Sequence, residues 1–478
     1  MRNPLPPVPT KLPEIEVVSA ARRGIPRAVL AAAPAEGDEA AYGTSGRTGD
    51  VREFAEDGDT PRWVVGVGEA TPKDFRRAGA ALARATRDAA AKSPIRTVQV
   101  LLSEEVTTAE VGELATGLSL GGYRFMVTTS EPKPSVPAVR LVAGHSAVPE
   151  FAETVARVRT LAAAAAFARD LANAPSNVKN PAWLANTAAK VVGEPVRVTV
   201  WDEKWLAEKG FGGVLAVGGG SASAPRLIEL EYRPRGAAKH LLFVGKGITF
   251  DTGGLSLKPN AGMHLMRTDM AGGAAVLAAV RGIATLGLPV RVTALVPAAE
   301  NHVSGGSYRP GDIVRHYGGR TTEVGNTDAE GRMVMADALA YGIERFKPDL
   351  VVDVATLTGA MKVSLGLRTG GLFATDDELA ERIVEAGVRA GEAWWRMPLL
   401  EDYASDVEGT LGDVRQAPGG PGGVMAALFL REFTAGRPWA HLDIAGPARA
   451  EKAYDEVVPG ASGFAARTLM ELATSYAG

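Results

Sequence analysis

Seven consecutive residues, Asn326-Thr327-Asp328-Ala329-Glu330-Gly331-Arg332, place two carboxylates and a guanidinium directly ahead of a helical pattern. Residues two apart leave one face of an extended strand, whereas a helix splays them. The spacing predicts an extended segment on which Asp328, Glu330 and Arg332 share a face. Two converging carboxylates repel unless a cation lies between them. The chemistry of this pattern is a metal-binding edge with an anion-binding arginine beside it.

Such an edge needs more ligands, and they occur about eighty residues earlier. The apolar run Leu241 to Val244 breaks at glycines into Gly245-Lys246-Gly247-Ile248-Thr249-Phe250-Asp251-Thr252-Gly253-Gly254. A buried parallel strand ends in this way. Lys246 and Asp251 fall at the strand end, and Lys258 follows in a Gly/Pro-rich loop. Asp269 stands where an Ala-rich helix from Met270 to about Ala284 opens, a position at which Asp is a favoured cap. Ligands of open α/β sheets bind beyond the carboxyl ends of the strands, so these groups are expected to meet there.

The elements that must position them fall into two parts. A chain of 478 residues exceeds one ordinary core, so two domains are expected. Residues 1–13 are proline-rich, lack the apolar stretch of a signal peptide, and read as a flexible tail. Residues 14–149 alternate short apolar runs (Trp63 to Val67, Thr97 to Leu102, Ala138 to Val142) with Ala-rich helical patterns, which predicts a small α/β domain. Residues 150–175 form a long helical pattern that reads as a linker helix, closed by the turn cluster Asn173 to Asn177. From 176 to 478, strands alternate with helices. The strands are Val196 to Val200, Arg226 to Tyr232, His240 to Val244, Val290 to Val296, Leu350 to Val354 and Trp439 to Ile444. This rhythm predicts a central mixed, mostly parallel sheet flanked by helices.

Composition narrows the function. No apolar run reaches 18 residues, so no transmembrane helix is expected. The absence of cysteine excludes disulfides, thiolate metal sites and cysteine nucleophiles, and fits a cytoplasmic location. A net charge of −3 gives no support to nucleic-acid or membrane binding. Gly245-Lys246-Gly247 lacks the spacing of a phosphate-binding loop. The six histidines are scattered and read as surface or hydrogen-bonded core residues. An isolated Asp-x-Glu is most often a solvated turn; it is the recurrence of matching blocks that lifts this one above that reading.

These blocks resemble those of the leucyl aminopeptidase (cytosol aminopeptidase) family, peptidase family M17. Its hallmark is similar to Asn326 to Arg332, and its other metal-site blocks to Val244 to Asp251 and Leu265 to Met270. Arg169 to Asn173, Glu300-Asn301, Arg309 to Asp312, Ala355 to Ala360, Trp439 to Gly446 and Gly463 to Leu469 also fit, so the resemblance runs from about residue 169 to the end. The family's Asp-Ser-Gly-Gly is here Asp251-Thr252-Gly253-Gly254, which keeps the hydroxyl.

The resemblance implies a catalytic domain over 176–478 with two divalent metals bridged by Asp251 and Glu330. Lys246 and Asp269 would complete one metal and Asp328 the other. An oxygen-rich set with one amine suits Mn²⁺, Zn²⁺, Mg²⁺ or Co²⁺ and does not choose among them. A lysine ligand must be neutral, since an ammonium has no lone pair. The resemblance further implies hydrolysis of the N-terminal peptide bond of short peptides by a hydroxide shared between the metals. Lys258 would stabilise the developing oxyanion, and Arg332 would hold a bicarbonate that relays protons. Met266, Thr356, Gly359, Ala445 and Ala448 would line a side-chain pocket for Leu-like residues. A homohexamer is implied as well. Two alternatives stand beside this reading: a dipeptidase or amidase dedicated to one metabolite on the same metals, and a DNA-binding regulatory role carried by the first 150 residues.

Overall fold

The structure is a computed structural model that describes residues 5–34, 41–43, 45–55, 60–131 and 134–477. The first four residues of the expected N-terminal tail lie outside the described residues, and 5–13 carry no helix or strand. The chain divides into two compact units. One comprises 1–166 with the returning segment 451–459, the other 167–450 with 460–478. The division falls inside a single helix, Val148–Asn173.

The first unit holds a six-stranded sheet among the described residues, in the order Glu14–Val18, Ala138–Val142, Thr97–Leu101, Arg27–Ala32, Trp63–Gly68, Val51–Glu53. All its pairings are parallel except the last. The helices Pro72–Ala90 and Thr108–Leu120 each start with a capping box, Thr71 with Asp74 and Thr107 with Glu110. In this device the first side chain accepts from the backbone N–H that the third position leaves free, and the third returns the bond. Leu82, Leu114 and Leu118 from these helices pack with Val65, Val98, Val100 and Leu141 of the sheet.

In the second unit the described residues contain a nine-stranded sheet. Its order is Ala393–Arg396, Thr369–Ala374, Trp439–Asp443, Leu350–Ala355, His240–Gly245, Arg291–Asn301, Arg226–Tyr232, Arg197–Trp201. Gly247–Asp251 pairs alongside the far half of Arg291–Asn301. The central strands at 439, 350, 240 and 291 run parallel, while antiparallel pairings lie outside them. Every residue of His240–Gly245 and Leu350–Ala355 is buried. Strands covered on both faces read as unbroken apolar runs, which is why these two stood out in the sequence. Leu242 and Val244 enter a cluster with Met333, Leu339 and Tyr341 of the helix Glu330–Phe346. By strand alternation Leu241 and Phe243 face the other way, and the helix Ala271–Thr285 also packs on this strand. The strands His240–Gly245, Leu350–Ala355 and Trp439–Asp443 end level with one another, while Arg291–Asn301 runs on past them with Gly247–Asp251 beside it, to end at Asn301 and Asp251. The sheet is thus mixed and mostly parallel, with helices against it, in a two-domain α/β chain.

Candidate metal centre

Two local expectations are corrected. Asp328 and Glu330 are not on one extended strand: Asp328 lies in a turn, and Glu330 is the first residue of the helix Glu330–Phe346, so Arg332 sits in that helix's first turn. The sharp turn brings the carboxylates together by a different path. Asp269 does not cap the following helix either. That helix spans Ala271–Thr285 with Met270 at its N-cap and no side-chain cap bond. Asp269 ends the preceding 3-10 turn, Met263–Thr268, and its carboxylate is engaged by Lys246 and Thr356. The cap preference lost to charge pairing in a buried pocket.

The strand ends bring Lys246, Asp251, Lys258, Asp269, Asp328 and Glu330 into one cluster. Asp251, Asp328 and Glu330 each offer a carboxylate oxygen, and these oxygens lie within 4.8 Å of one another. Lys246 Nζ stands 2.8 Å from Asp269 Oδ2 and 2.7 Å from Glu330 Oε1, and donates to the Thr356 carbonyl at 3.0 Å. Lys258 Nζ is 2.8 Å from Asp251 Oδ2 and also pairs with Asp328 Oδ1. Asp269 Oδ2, Asp328 Oδ1 and Glu330 Oε1 nevertheless have no directed hydrogen bond among the described residues. Each lies at ion-pair distance from a lysine ammonium, and no other group among the described residues satisfies it. Buried oxygens in that state are exceptional.

Electrostatics follow from this crowding. Burial, then the neighbouring Glu330, pushes Asp251 up to about 7 against the pull of Lys258 and Lys246. Burial likewise raises Asp269 and Glu330 while Lys246 opposes. Burial alone would lower Lys246, but Asp269, Glu330 and Asp251 outweigh it and hold the ammonium above the ordinary lysine range. The proton on Lys246 thus occupies the place of a cation. Four ionised carboxylates balance the charge of two dications, and a dication beside the amine would displace that proton. The donor set, the converging oxygens and the undirected buried oxygens fit two divalent metals. Lys246, Asp251, Asp269, Asp328 and Glu330 would hold them.

Glycines make room for the cluster at two points. A Cβ on Gly331 would stand 2.6 Å from Lys246 Cε and 2.8 Å from its Nζ. Gly253 has φ +88°, and a Cβ there would meet the Ser256 carbonyl at 2.5 Å and Asp328 Oδ1 at 3.0 Å. The Thr252 hydroxyl donates to the Asn301 carbonyl at 3.0 Å and accepts from Gly254 N at 3.1 Å, a use that needs only a hydroxyl.

Arg332 is buried, and its Nη1 donates to the Gln416 carbonyl at 2.5 Å. Its Nε has no partner among the described residues. Burial lowers it to about 10, with Glu330 and Asp443 opposing, so it stays cationic at neutral pH. Of the expected pocket residues, Met266 is half-buried on the 3-10 turn, and Gly359 is exposed at the start of the helix Gly359–Leu365 with open space where a Cβ would be. Ala445 is half-buried after the strand Trp439–Asp443, and Ala448 is buried. Thr356 reaches the metal cluster: its Oγ1 donates to Asp269 Oδ1 at 2.7 Å and lies 3.0 Å from the Asp269 carbonyl.

Several supporting residues carry no sequence signal of their own. Asn301 Nδ2 donates to Asp251 Oδ1 at 2.8 Å and to the Thr327 carbonyl at 3.0 Å. Gln416 Oε1 accepts from Gly325 N and Asn326 N, and its Nε2 donates to the Ala329 carbonyl, each at 3.0 Å. Tyr308 Oη donates to the Thr327 carbonyl at 2.8 Å. Asp443 accepts from Leu357 N, Thr358 N, Thr358 Oγ1 and Ala445 N, which fixes the loop bearing Thr356. Asn301 and Asp443 do stand in two of the resembling blocks, Glu300-Asn301 and Trp439 to Gly446, whereas Tyr308 and Gln416 stand in none.

Comparison with known proteins places this geometry. The profile described as "Cytosol aminopeptidase family, catalytic domain" matches residues 166–470. A probable cytosol aminopeptidase of Roseiflexus castenholzii is 43% identical over 420 residues, covering 85% of this chain and 86% of that protein. One from Leifsonia xyli subsp. xyli is 43% identical over 92% of this chain and 90% of its own length. Among solved structures, "Bottromycin maturation enzyme BotP in complex with Mn" superposes with TM-score 0.85 at 39% identity, covering 95% of this chain and 99% of that one. Its counterpart "Bottromycin maturation enzyme BotP" gives TM-score 0.81 at 38% identity over 97% and 99%. By profile, relatives and structure alike, the chain belongs to the cytosol aminopeptidase family, M17, a family of metal-dependent aminopeptidases.

Proposed function

We propose that the chain removes N-terminal residues, Leu-like ones preferentially, from short peptides at a two-metal site. The observation that carries this is the convergence of Asp251, Asp328 and Glu330 oxygens within 4.8 Å, with Lys246 seated between Asp269 and Glu330. When bound, the metals supply an activated water and polarise the scissile carbonyl. The chain's own residues do the rest. Lys258, part-exposed at the cluster, offers an ammonium to the carbonyl oxygen as negative charge develops, a role worth roughly 3 kcal/mol in comparable sites. Asp269 would receive the substrate's α-amine together with a metal. Arg332 Nε is the donor left for a bicarbonate, whose oxygens would carry a proton to the leaving amine. Gly359, with open space where a Cβ would be, would with Met266, Thr356, Ala445 and Ala448 accept an apolar side chain.

Mn²⁺ is favoured as the metal by the oxygen-rich donors and by the manganese in the BotP complex. Short peptides as the substrate class, a homohexameric assembly and a cytoplasmic location remain parts of this reading. Support for the last comes from the missing cysteines and the relatives' descriptions. Among the described residues no helix is long and apolar enough to cross a membrane. A second reading, a peptidase dedicated to one peptide, is favoured by the likeness to a maturation enzyme over nearly the whole chain. The test is hydrolysis of an amino-acid amide and dipeptide panel by the Mn²⁺-reconstituted protein, with Glu330→Ala as control. Broad turnover with Leu and Met amides leading supports the first reading. Turnover of none of the panel by protein that holds metal supports the second.

A further inference from the structure

Lys179 is a lysine that the proposed chemistry does not use, and it is almost wholly buried. An ammonium removed from water is costly unless every N–H finds an acceptor. Lys179 Nζ donates to three backbone carbonyls: Leu171 at 3.1 Å, Ala172 at 2.9 Å, and Arg267. Leu171 and Ala172 lie in the last turn of the helix Val148–Asn173. Carbonyls there have no partner within the helix and carry the negative end of its dipole. Arg267 lies in the last turn of the 3-10 segment Met263–Thr268, two residues before Asp269. One side chain therefore ties the end of a long helix to the turn that delivers a metal ligand.

That turn packs beside the strand Gly247–Asp251, and Lys246 reaches its last carboxylate, but few other hydrogen bonds tie it to the rest of the chain. Its internal bonds are short-range: Leu265 N to Gly262 O, Thr268 Oγ1 to Leu265 O and Asp269 N to Met266 O. At its far end Thr356 holds Asp269 itself. The geometry points to Lys179 as a positioning residue for the metal completed by Lys246 and Asp269. It acts through the Arg267 carbonyl and does not touch the metal cluster. The Asp328 side of the site hangs on different supports, Asn301, Tyr308 and Gln416, so loss of Lys179 acts on one metal and spares the other.

This inference rests on the two-metal reading, and the experiment separates the two. Wild-type, Lys179→Met and Lys179→Gln chains are stripped with chelator and titrated with Mn²⁺ by calorimetry, with bound metal counted by mass spectrometry and folding followed by circular dichroism. Wild type binds two Mn²⁺ per chain. Lys179→Met keeps one at near wild-type affinity and loses at least about tenfold at the other, the scale on which supports of metal ligands act. Lys179→Gln, with an amide donor, recovers part of that loss. No Mn²⁺ on wild type overturns the two-metal reading itself. Two Mn²⁺ on every chain with affinities within twofold overturns the inference alone. Equal weakening at both sites also overturns it, because a general loss of structure moves both metals together. Should Lys179→Met fail to fold, Lys179→Gln answers by the same titration.

Discussion

Gly331→Ala separates folding from chemistry. Gly331 is the second residue of the helix Glu330–Phe346, and alanine in a helix is favoured over glycine by about 1 kcal/mol. The added Cβ would stand 2.6 Å from Lys246 Cε and 2.8 Å from Nζ, whereas ordinary contact begins at 3.4 Å. The end of the lysine must retreat by about 0.8 Å, which a flexible side chain does at little cost to the fold. The amine is then displaced by several times the tolerance of a metal–ligand bond, about 0.2 Å. Metal affinity on the Lys246 side is expected to fall about 10- to 100-fold, or about 1.4–2.7 kcal/mol. The assay pairs thermal melting of the metal-free chain with Mn²⁺ calorimetry and kcat/KM on leucine amide. The expected result is an unchanged or raised melting point, one weakened metal and a matching loss of activity. A variant that binds both metals within twofold of wild type and keeps its kcat/KM would show that the space at Gly331 does not set the position of the Lys246 amine.

Lys246→Arg keeps the charge but cannot give up its proton to become a ligand, so metal analysis should find that side empty despite the conserved cation. Gln416→Ala strands the N–H groups of Gly325 and Asn326 and the Ala329 carbonyl, which should cost about 2–4 kcal/mol in denaturant unfolding and lower kcat/KM as the Asp328 loop loosens. Because the substrate amine must be neutral to reach a metal, kcat/KM should rise from pH 7 through about 8, the range of α-amino titration; a steady fall above pH 7 contradicts that step. Burial, with Arg291 beside it, lowers His240 from 6.5 to about 4. The unfolded chain therefore takes up the proton first, and stability present above pH 6.5 is lost as pH falls from 6.5 toward 4. His240→Gln, which can keep the bond to Thr293, should flatten that slope in denaturant midpoints, and an unchanged slope would show that another group sets it.

Much of the fold was legible because its central strands are covered on both faces. The expected strand Arg226 to Tyr232 is observed over those residues, and Leu350 to Val354 is one residue longer. The strand Thr369–Ala374 escaped notice because Gly370-Gly371 reads as a breaker. There the glycines make room for the rings and chains of Trp394 and Met361. The return of 451–459 to the first unit has no local signature, since it depends on partners far away in sequence, such as Arg77 on Asp455 at 2.5 Å. In the site, carboxylates and lysines announced themselves by charge in apolar surroundings. Their conformations did not: Glu330 entered a helix and Asp269 gave up a cap because the buried cluster outweighs local preference. Gln416 and Lys179 were invisible for another reason. Their partners are backbone groups, which every sequence contains.

Two cations gripped at the ends of the parallel strands are what the proposed hydrolysis requires. Anomalous diffraction from crystals grown with Mn²⁺ tests it directly. It should show two peaks per chain, with Asp251 and Glu330 touching both, Lys246 and Asp269 on one, and Asp328 on the other. Crystals whose anomalous map is featureless there, with Lys246 still paired to Asp269 and Glu330 at saturating Mn²⁺, would contradict it.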